Sequence, residues 1–145
     1  MADFELDDNL DRIDFERVHE WLSSAYWSPG VPRERIEKAA HNSALVVGAY
    51  SDGRQVGYLR VVSDRTTFAW ICDVIVDEEF RGNGVGRELV RFALGHPDFQ
   101  GLRRWTLATR DAHGVYSECG FEPLQEPEKW MTYRPNPVAG ADDCR

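Results

Sequence analysis

Arg81, Gly82, Asn83, Gly84, Val85 and Gly86 stand between an apolar run at residues 70–76 and a helical pattern of apolar positions at Val85, Leu89, Phe92 and Ala93. Strand, glycine-rich turn and helix start, in that order, build a cradle for phosphate. The first amides of a helix have no intrahelical acceptor and carry partial positive charge, and glycines let a ligand's oxygens come close without a Cβ in the way. The glycines fall at 82, 84 and 86, which is not the dinucleotide-fold spacing, and no Gly-Lys-Ser/Thr ending marks a P-loop. The expected ligand is a phosphate compound bound outside the nucleotide folds.

A second group lies at residues 111–121. Asp111 is expected to cap a short helix, Gly120 to take the left-handed position that ends it, and Phe121 to fold back as its apolar stop. Tyr116 is thereby held one turn before the helix end. Between the two groups in chemistry stands Asp73, in the middle of the apolar run. A carboxylate there must be paired, hydrogen-bonded or turned to a cleft; it is expected either to serve as a base or to form a buried pair with an arginine. Strand alternation puts Asp73 on the face opposite Trp70, Cys72, Val74 and Val76. Cys72 could accept an acyl group, but no histidine neighbours it in sequence, and buried structural cysteine is the commoner fate. His19, His41 and His96 show no ligand spacing, so no metal is expected.

With both groups in place, the chain resembles the GNAT superfamily of acyl-CoA-dependent N-acetyltransferases. Arg81, Gly84 and Gly86 match the family's Arg/Gln-x-x-Gly-x-Gly/Ala pattern, and Val74 and Val76 its Val-x-Val strand end. Tyr116, Gly120 and Phe121 match its Tyr-x-x-x-Gly-Phe pattern. The resemblance implies that the turn (Arg81, Gly82, Asn83, Gly84, Val85, Gly86, with Arg87) binds the pyrophosphate of acetyl-CoA. It implies that the backbone of Val74, Ile75 and Val76 pairs with the pantetheine arm, and that Tyr116 protonates the leaving thiolate. Thr109 stands where many members carry an asparagine beside the cofactor. Tyr26 and Trp27 fall in the region that walls the acceptor site in this superfamily. The implied reaction is direct acetyl transfer to the primary amine of a small molecule. A peptide or protein acceptor, or a module that senses acyl-CoA without chemistry, are the alternatives.

The bulk properties agree with that expectation. At 145 residues the chain is one domain, expected over residues 1–134, with a loose tail at 135–145. Seventeen Lys and Arg against 25 Asp and Glu give a net charge of -8, which argues against nucleic acid or an anionic membrane as partner. Three cysteines without metal spacing point to a reducing compartment, and the acidic N-terminus is unlike a signal peptide, so a cytoplasmic protein is expected, monomer or homodimer.

Along the chain, Phe15, Val18, Leu22 and Ala25 recur at helical spacing with Asp14 or Asp11 as N-cap, and Pro32 opens a second helix ending near Asn42. Strand-like runs at residues 44–50 and 55–62 are joined by Asp52-Gly53, a hairpin signal, and a third run follows at 67–76. After the glycine-turn helix come a strand at 104–108 and a last strand around 130–133. The expected fold is α+β in three layers, a mixed central sheet with an antiparallel N-terminal meander and crossover helices.

Overall fold

The computed structural model describes residues 3–135, so the tail expected at 135–145 lies, but for its first residue, outside the described residues. Its centre is a sheet of five strands in sequence order: β1 (Glu5–Asp7), β2 (Leu45–Ser51), β3 (Arg54–Ser63), β4 (Phe68–Val76) and β5 (Arg104–Thr106). The first three pairings are antiparallel and β4–β5 is parallel, so the sheet is mixed, as the meander and the crossover require. Asp52 and Gly53 both take positive φ (51° and 77°), the two-residue geometry whose twist suits a hairpin. The next turn is held by Asp64, whose carboxylate accepts from the amides of Thr66 and Thr67 (2.9 and 2.7 Å) and from the Thr67 hydroxyl (2.6 Å). Those bonds hold its carboxyl well below the usual range.

Helices cover both faces. α1 (Phe15–Ser23), capped by the Asp14 side chain, and α2 (Arg33–His41), opened by Pro32, pack Val18, Leu22, Ile36 and Ala40 against Val46 and Tyr58. On the other face, α3 (Val85–Leu94) presents Val85, Leu89, Val90 and Ala93 to Val47, Ala49, Leu59 and Ile71. Each larger apolar side chain buried in this way contributes about 1.5–3 kcal/mol. α4 (His113–Glu118) buries Tyr116 alone and is correspondingly less anchored. α3 sits close to the sheet because Gly57 of β3 has no side chain: a Cβ there would come within 3.0 Å of Val85 Cγ1 and 3.2 Å of Leu89 Cδ1.

Two expectations are corrected. Simple alternation fails along β4. Ala69 and Ile71 pack in the α3-side cluster, but so do Val74 and Val76, whereas Ile75 joins the α1–α2 cluster. The parity flips because Asp73 takes φ +54°, and the β3–β4 register shifts between Tyr58 and Arg60, so an extra residue is accommodated as a bulge. The last strand expected around 130–133 does not form. A 3-10 turn at Pro127–Lys129 precedes an irregular stretch in which Met131 and Tyr133 are almost fully exposed. No helix among the described residues is long and apolar enough to cross a membrane.

Candidate functional site

β4 and β5 pair only from Phe68↔Arg104 to Trp70↔Thr106, yet β4 continues to Val76. Beyond Trp70 the edge of β4 that faces β5 has no strand partner, and the bulge at Asp73 bends it away. A cleft therefore opens between the C-terminal ends of two parallel strands. Val74, Ile75 and Val76 line one side. Leu107, Ala108 and Thr109 continue from β5 on the other.

The glycine turn closes one end of this cleft. Asp77 starts it, accepting from the Glu79 amide (2.9 Å) and pairing with Arg17 of α1, and Arg81 Nε reaches back to the Val76 carbonyl at 3.4 Å. Gly82 and Gly84 both adopt the left-handed conformation (φ +84° and +82°), and Gly84 is the N-cap of α3. Because glycine offers no capping side chain, the first amides of α3 point outward without an acceptor from the cap. A Cβ on Gly82 would meet nothing, and one on Gly86 would meet only Val76 Cγ2 at 3.7 Å. At Gly82 the left-handed backbone by itself favours glycine, whereas at Gly86 neither backbone nor packing demands it; a phosphate lying against the backbone would. Arg87 arches over the turn, its Nη2 2.9 Å from where a Gly84 Cβ would stand, while its Nη1 donates to Glu118 at 3.2 Å. Arg91 pairs with Glu88 at 3.3 Å and faces solvent. The main-chain amides and the Arg87 charge suit a pyrophosphate.

Tyr116 is buried beside the continuation of β5, its ring edge-on to Phe121 with centroids 6.0 Å apart. Gly120 takes φ +99°, and the Phe121 amide donates to the Tyr116 carbonyl at 3.0 Å, so the helix ends as its sequence requires. Asp111 does not cap α4. The N-cap is Ala112, without a side-chain bond, and the Ala112 amide donates instead to Thr109 Oγ1 at 3.1 Å. Thr109 thus fixes the entry to α4. Burial, and next to it the nearby Tyr26, push the Tyr116 phenol up to about 12, so it holds its proton throughout the ordinary pH range.

At the other end of the cleft the side chains hold one another. Trp27 Nε1 donates to Asp73 Oδ1 at 3.0 Å, and Arg60 Nε donates to Asp73 Oδ2 at 2.7 Å, in a pair whose members are both largely buried. Tyr26 packs edge-on against Trp27, its hydroxyl accepts from the Arg110 amide at 3.1 Å, and the Arg110 guanidinium lies 3.6 Å above its ring. The loop after α1 is therefore tied to β4 by Trp27 and to the segment after β5 by Tyr26. Arg60 and Arg110 were not among the sequence candidates. Arg60 could have been found by counting back from the Asp64 turn, which puts it opposite Cys72; nothing in the sequence marks Arg110. Cys72 is buried in the strand as a thiol, outside any disulfide among the described residues. Among the described residues no group of three His, Cys, Asp or Glu side chains could hold a metal ion.

Known proteins resemble the chain in sequence and in fold. A Xanthomonas campestris structure assigned to the GNAT family superposes with a TM-score of 0.87 at 38% identity, covering 92% of this chain and 94% of that one. An uncharacterized N-acetyltransferase of Prochlorococcus marinus is 33% identical over 102 residues, 68% of this chain, and the chain spans about half of that relative's length (54%). A soybean protein named a histone acetyltransferase is 28% identical over 120 residues, 74% of this chain and 52% of that protein. The acetyltransferase (GNAT) family matches residues 10–121, and the chain belongs to it.

Proposed function

We propose that the protein transfers an acetyl group from acetyl-CoA directly to the primary amine of a small molecule. The observation that carries this reading is the meeting, at the diverging ends of β4 and β5, of an outward-facing amide turn, an unpaired strand edge and a protonated tyrosine. In this reading the turn amides and Arg87 hold the pyrophosphate. The open edge of Val74, Ile75 and Val76 takes the pantetheine arm as an added strand, and Thr109 lines its far side. The amine nitrogen forms a bond to the acetyl carbon, the carbon–sulfur bond breaks, and Tyr116 gives its proton to the departing thiolate. The ammonium first loses a proton to water so that the nitrogen can attack, and the second proton that the nitrogen sheds on amide formation restores the Tyr116 phenol. With both Asp73 oxygens engaged, the geometry supports the ion-pair alternative for that residue: it fixes Trp27, and thereby the acceptor wall of Tyr26 and Trp27.

The small-molecule acceptor is supported by the Tyr26–Trp27 loop, which bridges from Asp73 to Arg110 across one end of the cleft. A peptide acceptor is the second reading, favoured by the name of the soybean relative. The net charge of -8 and three cysteines without metal spacing support a cytoplasmic setting without nucleic acid or membrane partners. Release of free thiol from acetyl-CoA, measured across a panel of small amines and lysine peptides, tests the proposal. Turnover with small amines supports it, turnover with peptides alone moves the acceptor to the second reading, and acetyl-CoA binding with no turnover on any amine leaves the sensor alternative.

A further inference from the structure

We infer that the acetyl acceptor carries an oxyanion, a carboxylate or a phosphate, a few bonds from its amine, and that Arg110 is the residue that selects it. This deepens the acetyl-transfer reading and rests on it.

Two ways of holding a positively charged acceptor body are closed at the aromatic end of the cleft. A carboxylate could pair with a second ammonium, but both oxygens of Asp73 are engaged, by Trp27 Nε1 at 3.0 Å and by Arg60 Nε at 2.7 Å. An aromatic face could hold a cation. The face of Tyr26 already does: the Arg110 guanidinium lies 3.6 Å from its centroid, and Trp27 meets the same ring edge-on at 5.0 Å. A second cation there would meet like charge at contact distance.

Arg110 is itself arranged as a receptor. Stacking occupies a face of the guanidinium and leaves the N–H groups at its edge, a planar fork of donors that matches an oxyanion. Arg17, Arg60 and Arg87, which border the same cleft, are each paired, with Asp77, Asp73 and Glu118. Among the described residues the Arg110 side chain pairs with no carboxylate, and Asp111 follows it in the chain without bridging to it. The residue is exposed, so the fork is open to a ligand.

Its place is fixed close to the chemistry. The Arg110 backbone amide donates to the Tyr26 hydroxyl at 3.1 Å, and Tyr26 stands near enough to the Tyr116 phenol to help hold its proton. An oxyanion on the fork and an amine before Tyr116 are therefore separated by little more than one aromatic ring, which calls for a short acceptor. The net charge of -8 does not oppose such a ligand. Exposed charges are screened beyond about 8 Å at physiological salt, whereas the fork acts in contact.

The test is kcat/KM, read as thiol released from acetyl-CoA by the full chain, for four amines of similar length: propylamine, trimethylenediamine, β-alanine and ethanolamine phosphate. An oxyanion acceptor should exceed propylamine by roughly 10- to 100-fold, the worth of a charge-assisted hydrogen bond, and the diamine should be the poorest. β-Alanine ahead identifies a carboxylate, ethanolamine phosphate ahead a phosphate. Arg110→Met should cancel the ratio between oxyanion and neutral acceptors, since the tie to Tyr26 is made by the backbone and survives. Arg110→Glu should reverse the preference toward the diamine; a loss of packing alone would lower all four together. Equal turnover of the four, or a preference that survives Arg110→Met, would overturn the inference and leave acetyl transfer standing. No turnover with any amine would remove the acetyl-transfer reading and this inference with it.

Discussion

At the glycine-turn end of the cleft, the groups that would face a ligand in the proposed reading are main-chain amides, with the Arg87 guanidinium close by. At the aromatic end the walls are side chains, each held from a different part of the chain: Trp27 by Asp73, Asp73 by Arg60, and Tyr26 by the amide and the guanidinium of Arg110. A backbone site is general, since any member with the same turn can bind the same phosphate. A side-chain site is particular, and it is the end at which relatives with one cofactor can differ in acceptor. The two ends should therefore fail differently when altered.

The largest effect is expected at the backbone end. Gly84→Asp puts a negative charge into the amide turn at a residue with φ +82° and beneath the Arg87 guanidinium. Like charge against a pyrophosphate costs several kcal/mol, so acetyl-CoA affinity should fall on the order of 100-fold or more, while the melting curve stays cooperative. Isothermal calorimetry that returned wild-type affinity would remove the distinction between the two ends.

Next comes Asp73→Asn, which keeps an acceptor for Trp27 but leaves Arg60 without its carboxylate. Breaking a buried pair costs about 3 kcal/mol. The expected signature is a lowered unfolding midpoint, with acetyl-CoA affinity nearly unchanged. A large loss of turnover at native stability would instead make Asp73 the base, and the aromatic end would then contain chemistry as well as walls.

Tyr116→Phe belongs to neither end, since Tyr116 approaches the cleft from α4. Turnover should fall by roughly two orders of magnitude with affinity little altered, if its proton transfer limits the rate. Stability should change by about 1 kcal/mol or less at neutral pH. At alkaline pH the sign is definite. The folded-state value, raised to about 12, lies above the unfolded value near 10, so the tyrosine's contribution is full below about pH 10 and is lost as pH rises toward 12. Tyr50, also pushed up to about 12, and Tyr58, pushed higher still, act in the same direction. The variant's alkaline unfolding midpoint should therefore move upward; a downward shift would contradict the burial of the phenol.

The same contrast explains what the sequence disclosed. Glycines mark backbone geometry directly, so the turn at 82–86, the Asp52-Gly53 hairpin and the Gly120 stop could all be read, and with them the antiparallel meander and the mixed character of the sheet. The side-chain end could not be assembled that way. Trp27 and Asp73 are 46 residues apart, and neither periodicity nor spacing connects them. The bulge was missed because period-two alternation was carried straight through Asp73. A clue was present, since aspartate is among the few non-glycine residues enriched at positive φ, and an acidic residue inside an apolar strand is where a break in the pattern should be sought. Local sequence points to Asp111 as a helix cap, but the N-cap is Ala112 and its amide donates to Thr109 Oγ1. The missing last strand is a third kind of case. Its composition suits a strand, and composition does not say where the turn before it directs the chain.

Gly57 lies under the sheet-facing side of α3, on a strand that no ligand in the cleft would touch, and a Cβ there would strike Val85, the first residue of that helix. The height of the helix above the sheet, and with it the aim of the turn amides, is therefore set from beneath by an empty space the size of a methyl group. A screen for lost acetyl-CoA affinity should score this position beside the turn glycines, and a search for compensating changes should find them in the side chains that roof the gap, Val85 and Leu89 made smaller, rather than anywhere along the cleft itself.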